Sequence, residues 1–472
     1  MDFIGILDFV DEYIWYIAFV LIIGVGLFAT VALRGLQVTS LGEMARNTFK
    51  RDKASSENKL SSFQVFCMSM GSRIGVGNIT GPIMALLVGG PGAILWMWVF
   101  AGIGMATSFL ETIIGQIYKV PKENGGFRGG PAYTLFHGLG MKRLGMVAAF
   151  VMIMMYLVGF VSGEVISMSE AVQGAFDYEW THLVFAIVLT VVTGIVLIGG
   201  VYRIADLSVK IVPVMAIAWF AICIASIILS KGGVLNAFEM IFGYAFSAPA
   251  LLGGGIGIIV MNGMMRGVWS NEAGIGTITN LSAMADVKHP VAQGYTQALG
   301  VLIDTLVSTM TALVILSFAD FDILHGMYID MGEDSIPVLQ GIFSDTLGTV
   351  APYVVAVFMF VFAFTCLISD VVIGEGNLML IKDSRMASYA MKAVLLIVVF
   401  LSCFFASDEL TIFMDILLAV CAFFNTYIML RLAKRGIEAY RDYRAQKKAG
   451  VEEPVFRKTC LSDTTGVTEW EQ

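Results

Sequence analysis

Runs of about 20 apolar residues recur along nearly the whole chain, and they constrain the fold more than any other feature. A helix of that length spans the hydrocarbon core of a bilayer. Hydrophobic residues make up 57% of the 472 positions and charged residues only 14%, which excludes a soluble domain of this size. A transmembrane β-barrel is excluded because its strands would alternate polar and apolar residues. The sequence therefore predicts an all-α polytopic membrane protein.

The apolar runs predict about eleven transmembrane helices, one preliminary helix and two sets of five that correspond at a spacing of about 200 residues. Their approximate positions are 13–33, 61–88, 93–118, 145–172, 183–200, 207–229, 248–284, 295–318, 349–380, 391–405 and 410–432. We therefore expect four regions. They are an N-terminal helix with its connector (1–60), a first repeat (61–230), a second repeat (231–432) and a tail (433–472).

Two glycine-rich motifs interrupt these runs. Gly75–Gly81 is Gly-Val-Gly-Asn-Ile-Thr-Gly, and 199 residues later Gly274–Asn280 is Gly-Ile-Gly-Thr-Ile-Thr-Asn. Unwound backbone in a membrane is tolerated only where protein buries it or where it lines a polar cavity. Small residues that allow close helix packing are the alternative reading. The second copy favours two broken helices that form one solute site, as in transporters.

The distribution of charge predicts the orientation. Nearly all of the 29 lysines and arginines fall in connectors on one side of the predicted topology. The opposite connector at 320–345 has six carboxylates and neither lysine nor arginine. By the positive-inside rule the N-terminus is outside and the C-terminus is cytoplasmic. An odd number of spans separates the two broken helices, so the two halves form an inverted repeat.

Several function classes are disfavoured by what the sequence contains. The first residues are acidic where a signal peptide would be basic, so we expect no cleavage. The six cysteines have no paired or metal-type spacing, which predicts reduced thiols and no cofactor. No nucleophile, base and orienting group recur together, so we expect no enzyme. No basic face suggests nucleic acid as a partner.

The first interruption offers ligands for both an anion and a cation. Carbonyl oxygens near Gly71 and Ile74, at the end of the preceding half-helix, suit a sodium ion. The backbone amides that begin the following half-helix suit a carboxylate. These amides belong to Gly75, Val76, Gly77 and Asn78. In the second interruption, Trp269 would wall the same cavity and Gly274 and Gly276 would face it.

Ionisable residues within the spans are expensive unless they pair or meet water. One hypothesis is that Glu272 neutralises Arg73 across the two breaks. The alternative is that Arg73 and Arg266 lie nearer the cytoplasmic end and extend their charges toward water. Charge-swap variants would separate the two.

A second polar group lies in the span near 349–380. The Thr365 hydroxyl could complete a sodium shell, whereas the Cys366 thiol is a poor ligand for so hard an ion. Three more carboxylates in the spans are candidates for a cation or a substrate nitrogen, and each is equally consistent with a satisfied structural group. They are Asp370, Glu164 and Asp304, the last beside Thr305.

These residues lie in runs that resemble the sodium:alanine (alanine or glycine:cation) symporter family from about residue 30 to residue 456. The resemblance implies a LeuT-type five-plus-five fold. It also implies uptake of a small neutral amino acid with sodium, or in some members protons, across the cytoplasmic membrane. The runs are Phe63-Gln64-Val65-Phe66-Cys67, Arg73-Ile74-Gly75-Val76-Gly77-Asn78, Gly89-Gly90-Pro91-Gly92-Ala93, Gly104-Met105-Ala106-Thr107, Arg266-Gly267-Val268-Trp269-Ser270-Asn271-Glu272-Ala273-Gly274 and Lys288-His289-Pro290-Val291.

The resemblance also implies residue roles. Sodium would be held by Gly71, Ile74, Thr365 and Cys366, where the family usually has Ser-Thr at the last two positions. Ser167 stands where the family has a substrate-facing glutamine, and Asp370 replaces a family pattern of other residues. Substrate would be held by Gly75, Gly77, Asn78, Trp269 and Gly274.

These departures keep three alternatives open. The substrate could be a larger or differently charged amino acid. A proton could replace sodium at Asp370 or Glu164. The chain could also be a solute sensor that binds without accumulating its ligand.

Overall fold

The computed structural model describes residues 3–50, 54–56, 58–123, 125–230, 233–246, 255–318, 335–405 and 408–470. These residues are helical almost throughout. The predicted start of the second interrupted segment, at 248–254, lies outside the described residues. The same holds for most of the acidic connector, at 319–334.

In the first half of the chain, the described residues form twelve α-helices and one two-stranded hairpin. The helices are α1 Phe3–Ala32, α2 Leu36–Thr39, α3 Leu41–Phe49, α4 Ser62–Arg73, α5 Gly77–Gly89, α6 Ala93–Ile117, α7 Pro131–Tyr133, α8 Lys142–Met154, α9 Val161–Ala175, α10 Thr181–Ile198, α11 Gly200–Leu229 and α12 Gly233–Ala245. Strand β1, Val120–Pro121, pairs antiparallel with β2, Phe127–Arg128. A π-helical stretch at Met155–Phe160 joins α8 to α9.

The described residues of the second half form seven α-helices. They are α13 Gly255–Asn271, α14 Thr279–Ser282, α15 Pro290–Phe318, α16 Ser335–Leu347, α17 Ala351–Ile381, α18 Arg385–Ser402 and α19 Asp408–Lys448. A second π-helical stretch, Thr134–Gly138, and two short 3₁₀ turns, Gly348–Val350 and Lys458–Cys460, complete the described secondary structure.

Nine helical stretches in the described part of the chain are long and apolar enough to cross a membrane. The two interrupted segments, α4 with α5 and α13 with α14, are additional to these nine because each helix in them is short. The all-α polytopic class is therefore confirmed, together with its two broken helices. The count of eleven spans and the four predicted regions stay predictions.

The interrupted helices lie at the centre of the bundle. Helix α4 packs against α11, α15 and α17, and α5 packs against α13 and α15. Outer helices instead expose large apolar side chains, as Ile198, Val214 and Ile217 do. A bilayer would solvate those side chains, whereas the polar groups of the two breaks are enclosed by protein.

The segment that leads into α4 and the segment that follows α14 are hydrogen-bonded to each other. We call the side of the bundle where they meet the connector side. Leu60, just before α4, forms a parallel β-bridge with Ala285, just after α14. The backbone N–H of Asp286 donates to the Leu60 carbonyl at 2.9 Å. The Lys119 ammonium donates to the Ala285 carbonyl at 3.0 Å. These contacts close the bundle on its connector side.

The tail folds back under the bundle after α19 ends. The backbone N–H of Phe456 donates to the Lys288 carbonyl at 2.9 Å. The Trp470 indole donates to the Gln116 carbonyl at 3.0 Å, and its ring lies 4.6 Å from the Lys119 ammonium. The tail therefore helps to bury Lys119, which is 1% exposed.

Lys119 predicts a pH dependence of stability. Burial lowers the pKa of Lys119 from 10.5 to about 7, against the opposing effect of Glu469 and Asp286. Between those values the folded chain binds fewer protons at this site than the unfolded chain, so this contribution to stability rises with pH. We expect Lys119→Met to gain stability relative to the wild type at pH 6 and to lose about half of that gain by pH 9.

The measurement is the thermal unfolding temperature of both proteins in detergent from pH 6 to pH 9. The exposed Lys142→Met is the matched control, and its curve should run parallel to that of the wild type. A constant difference between Lys119→Met and the wild type across this range would contradict the prediction.

Candidate functional site

The first break spans three residues between α4 and α5. Helix α4 ends at Arg73, and Ile74 leaves helical geometry with φ −79° and ψ 76°. The N–H of Gly75 donates to the Arg73 carbonyl at 2.9 Å and to the Asn78 side-chain oxygen at 3.2 Å. Helix α5 then begins at Gly77. The local glycines permit this turn, and the Asn78 amide stabilises it.

A carboxylate from α9 lies against this break. The N–H of Val76 donates to Oε2 of Glu164 at 3.3 Å. A Cβ built on Gly75 would lie 2.5 Å from Oε1 of the same carboxylate, so a larger residue here would displace Glu164. Glu164 is 7% exposed. A carboxylate can therefore occupy the amides of the first break, and in this chain an internal one does.

A second carboxyl group reaches the same break from α17. The Ser72 hydroxyl donates to Oδ1 of Asp370 at 2.9 Å. The Cys366 thiol lies 3.1 Å from the Ser72 carbonyl and 3.5 Å from Oδ2 of Asp370. Since α4 and α17 meet here, the predicted sodium residues on the two helices are brought together.

Gly71 and Thr365 make this contact between α4 and α17. A Cβ on Gly71 would lie 3.3 Å from the Thr365 carbonyl. The Thr365 hydroxyl donates to the Phe362 carbonyl at 3.0 Å, so its lone pairs are available to a cation. Carbonyl and hydroxyl oxygens are ligands that hard cations prefer. No group of three or more His, Cys, Asp or Glu in the described residues has a metal-holding arrangement.

The second break lies between α13 and α14. The backbone reaches left-handed values at Glu272 (φ 52°), Gly274 (φ 92°) and Gly276 (φ 84°). The N–H of Gly274 donates to Glu111, and its carbonyl accepts from Asn425. A left-handed glutamate is rare outside functional or strained sites.

A polar cluster built around Asn78 joins the two breaks. Its side-chain nitrogen lies 2.6 Å from Oδ1 of Asp304, 3.0 Å from the Ser270 hydroxyl and 3.0 Å from the Ser308 hydroxyl. The Ser270 hydroxyl donates to Oδ2 of Asp304 at 2.7 Å. Since Ser270 lies on α13 and Asn78 on α5, this cluster fixes the second break against the first.

Arg73 makes the other connection. Its guanidinium donates to the Asn271 carbonyl at 3.0 Å, to both oxygens of Gln297 at 3.0 and 3.2 Å, and to the Ser108 hydroxyl at 3.0 Å. Arg73 is 2% exposed, so it does not extend toward water. The hypothesised ion pair with Glu272 is not formed among the described residues, and Tyr156 donates to Glu272 instead, at 2.9 Å.

The space between the breaks is bounded by aromatic rings. A Cβ built on Gly77 would meet only the Trp269 carbonyl, at 3.9 Å. The Trp269 ring lies 6.2 Å from that of Phe160, which stacks on Tyr156 in the π-helical stretch. Local π-helical geometry is common at functional sites. Ser167 lies further along α9 and is partly exposed.

A cavity of about 300 Å³ approaches the site from the connector side. Its wall includes Asn280, just beyond the second break, and Val372, two residues past Asp370. Lys122, Arg128 and Glu375 line its outer part. The cavity therefore lies between the connectors and the end of the second broken helix, and most of its wall is apolar.

Among the residues of this site that sequence reasoning missed are three that lie at the second break. Glu111 and Asn425 hold the second break, and Tyr156 binds Glu272. The one available signal was that Glu111 is an ionisable residue inside an apolar run, which is a functional hypothesis by default. Asn425 and Tyr156 carry no comparable signal.

Two broken helices that meet in a buried polar centre, inside a bundle of membrane-spanning helices, define a transporter of the LeuT type. Residues 2–458 match the sodium:alanine symporter family. The chain therefore belongs to that family. The family consists of transporters, which confirms the expectation that this is not an enzyme.

Similar proteins agree with this assignment. The chain is 34% identical over 470 residues to the amino-acid carrier protein AlsT of Bacillus subtilis, covering 99% of this chain and 98% of AlsT. It is 35% identical over 467 residues to the probable sodium/glutamine symporter GlnT of the same organism, covering 98% and 95%. The solved structure of MhsT with L-phenylalanine matches with a TM-score of 0.56 and 13% identity, covering 79% and 89%, which shows the fold alone.

Proposed function

We propose that this chain is a secondary active symporter that takes up a small neutral amino acid together with sodium. It does so across the cytoplasmic membrane, with the N-terminus outside and the C-terminus in the cytoplasm. The observation that carries the proposal is the buried polar centre in which Arg73 and Asn78 join both helix breaks. The family and the positive-inside pattern support it.

The amino acid is assigned to the space between the breaks. Its carboxylate faces the amides at Gly75, Gly77 and Asn78, where the positive end of the α5 dipole favours an anion. Trp269 and Phe160 limit the size of its side chain. The remaining assigned positions are Val76, Ser167, Gly274, Gly276 and Asp370.

Sodium is assigned to the contact between α4 and α17. Its ligands are the carbonyls of Gly71 and Ile74 and the side chains of Thr365 and Cys366, with the Asp370 carboxylate beside them. A cation here lies next to the amides that hold the substrate carboxylate. Each ligand therefore favours the binding of the other, and this differential affinity couples the two gradients.

Proteoliposomes test the proposal. With an inward sodium gradient we expect saturable accumulation of labelled alanine or glutamine, and collapse of the gradient should abolish it. If the substrate is a different amino acid, uptake measurements with all twenty amino acids will identify it. Accumulation driven by a proton gradient alone would overturn the sodium assignment. Binding without accumulation would overturn the symporter in favour of a sensor.

Two substitutions test the sodium ligands. Thr365→Val removes a hydroxyl ligand, and we expect it to raise the KM for sodium at least about tenfold. Cys366→Ser replaces soft sulfur with hard oxygen, and we expect it to lower that KM several-fold. The buried Cys223→Ser on α11 is the matched control and should leave the KM unchanged. Sodium-dependent uptake that is insensitive to both changes would place the ion elsewhere.

A further inference from the structure

We propose that Glu111 and Asn425 are positioning residues that hold the second helix break in the conformation that binds the amino acid. Glu111 lies on α6 and Asn425 on α19, and both are 2% exposed. The inference rests on the proposed function because it assigns a role within the same site. It concerns residues that touch the break rather than the substrate.

Glu111 and Asn425 together form hydrogen bonds with both backbone polar groups of Gly274, its N–H and its carbonyl. The N–H of Gly274 donates to Oε2 of Glu111 at 3.2 Å. The side-chain amide of Asn425 donates to the Gly274 carbonyl at 2.8 Å and to the same Glu111 oxygen at 2.7 Å. Three groups that are remote in sequence therefore form one closed hydrogen-bonded unit.

The break needs this support because its backbone has left the helical hydrogen-bond pattern. Gly274 and Gly276 adopt left-handed φ values of 92° and 84°. A Cβ on Gly276 would lie 2.6 Å from the Asn425 side chain, so that amide packs directly against the turn. A buried peptide group that loses its partner costs about 1–3 kcal/mol. The two side chains thus offset the free-energy cost of unpaired backbone groups in an unwound helix inside a membrane.

Transport kinetics test the role. We expect Glu111→Ala to raise the KM for the amino acid at least about tenfold, equivalent to about 1.4 kcal/mol. The KM for sodium, measured at a saturating concentration of the amino acid, should change less than about twofold, because the sodium ligands lie on α4 and α17 and not on this break. Glu111→Gln keeps an accepting oxygen for Gly274 and Asn425, so it should recover most of the affinity. Asn425→Ala removes the side-chain amide that donates to the Gly274 carbonyl, and it should raise the KM for the amino acid by a similar factor.

Hydrogen exchange gives a readout that does not need transport. We expect faster exchange in the peptide covering 272–278 in Glu111→Ala and Asn425→Ala, and wild-type exchange in Glu111→Gln. Thr112→Val is the matched control, since the neighbouring Thr112 hydroxyl on α6 is buried with no partner to lose. It should leave both readouts unchanged.

The outcomes separate the two claims. A wild type that accumulates no amino acid refutes the proposed function, and the exchange measurement then still decides the role of the pair. Wild-type uptake combined with unchanged amino-acid KM and unchanged exchange in both alanine variants overturns the positioning role. Equal losses for the amino acid and for sodium would show a general structural effect and would also overturn it.

Discussion

Gly75→Ala is expected to impair amino-acid transport strongly while leaving the protein folded. Its new Cβ would lie 2.5 Å from Oε1 of Glu164 and 3.3 Å from the Cys366 sulfur. Overpacking of this kind costs about 1–3 kcal/mol. The strain falls on the amides that would bind the substrate carboxylate, so we expect kcat/KM to fall by about tenfold to a hundredfold. The measurement is sodium-driven uptake in proteoliposomes at matched protein density.

Gly81→Ala is the control for this change. Gly81 lies further along α5, and a Cβ built there meets nothing within 4 Å. Alanine is the better helix former by about 1 kcal/mol, so the variant should be as stable as the wild type or more so. Wild-type transport by Gly75→Ala would show that the first break is not where the substrate carboxylate binds.

The positions of the two breaks could be predicted because the cause is local. Helix α4 ends at Arg73 and α13 ends at Asn271, next to the two glycine motifs identified in the sequence. Glycine disfavours a continuous helix, and the repeated motif at a spacing of 199 residues distinguished a broken helix from close packing. Both signals are readable without any knowledge of how the helices pack.

Partner choice could not be predicted because it depends on packing. Opposite charge made Glu272 the natural partner of Arg73, yet the guanidinium donates to carbonyl and hydroxyl oxygens on three other segments. Asn425 reaches the second break across 151 residues, and a lone asparagine in an apolar helix gives no indication of its neighbours. Hydrogen-bond geometry in the folded chain decides these contacts, and charge alone does not.

The tail is a second case in which the packing of the chain could not be predicted from its sequence. The sequence predicts a cytoplasmic tail at 433–472 and nothing of its packing, whereas in the structure α19 continues to Lys448 and the following residues fold back. Phe456, Leu461 and Val467 are each buried. Three apolar residues scattered among polar ones have no periodicity, so the sequence does not predict that they pack against the bundle.

Arg73→Lys is expected to be the most damaging conservative substitution in the chain. Lysine keeps the charge but offers a compact ammonium in place of a planar guanidinium with five donors. It cannot reach the Asn271 carbonyl, Gln297 and the Ser108 hydroxyl together. Each orphaned buried acceptor costs about 1–3 kcal/mol. We therefore expect a thermal unfolding temperature several degrees lower, and transport reduced at least about tenfold in the protein that remains folded.

Arg203→Lys provides the matched comparison, because Arg203 is exposed at the start of α11 and donates to a single carbonyl. It should unfold at the wild-type temperature and transport normally. If Arg73→Lys behaved like Arg203→Lys, the guanidinium could not be what holds the two breaks together. The Asn78 cluster would then have to supply that connection alone. A loss confined to Arg73→Lys instead means that the buried guanidinium of Arg73 holds the end of α13, through the Asn271 carbonyl, against the end of α4.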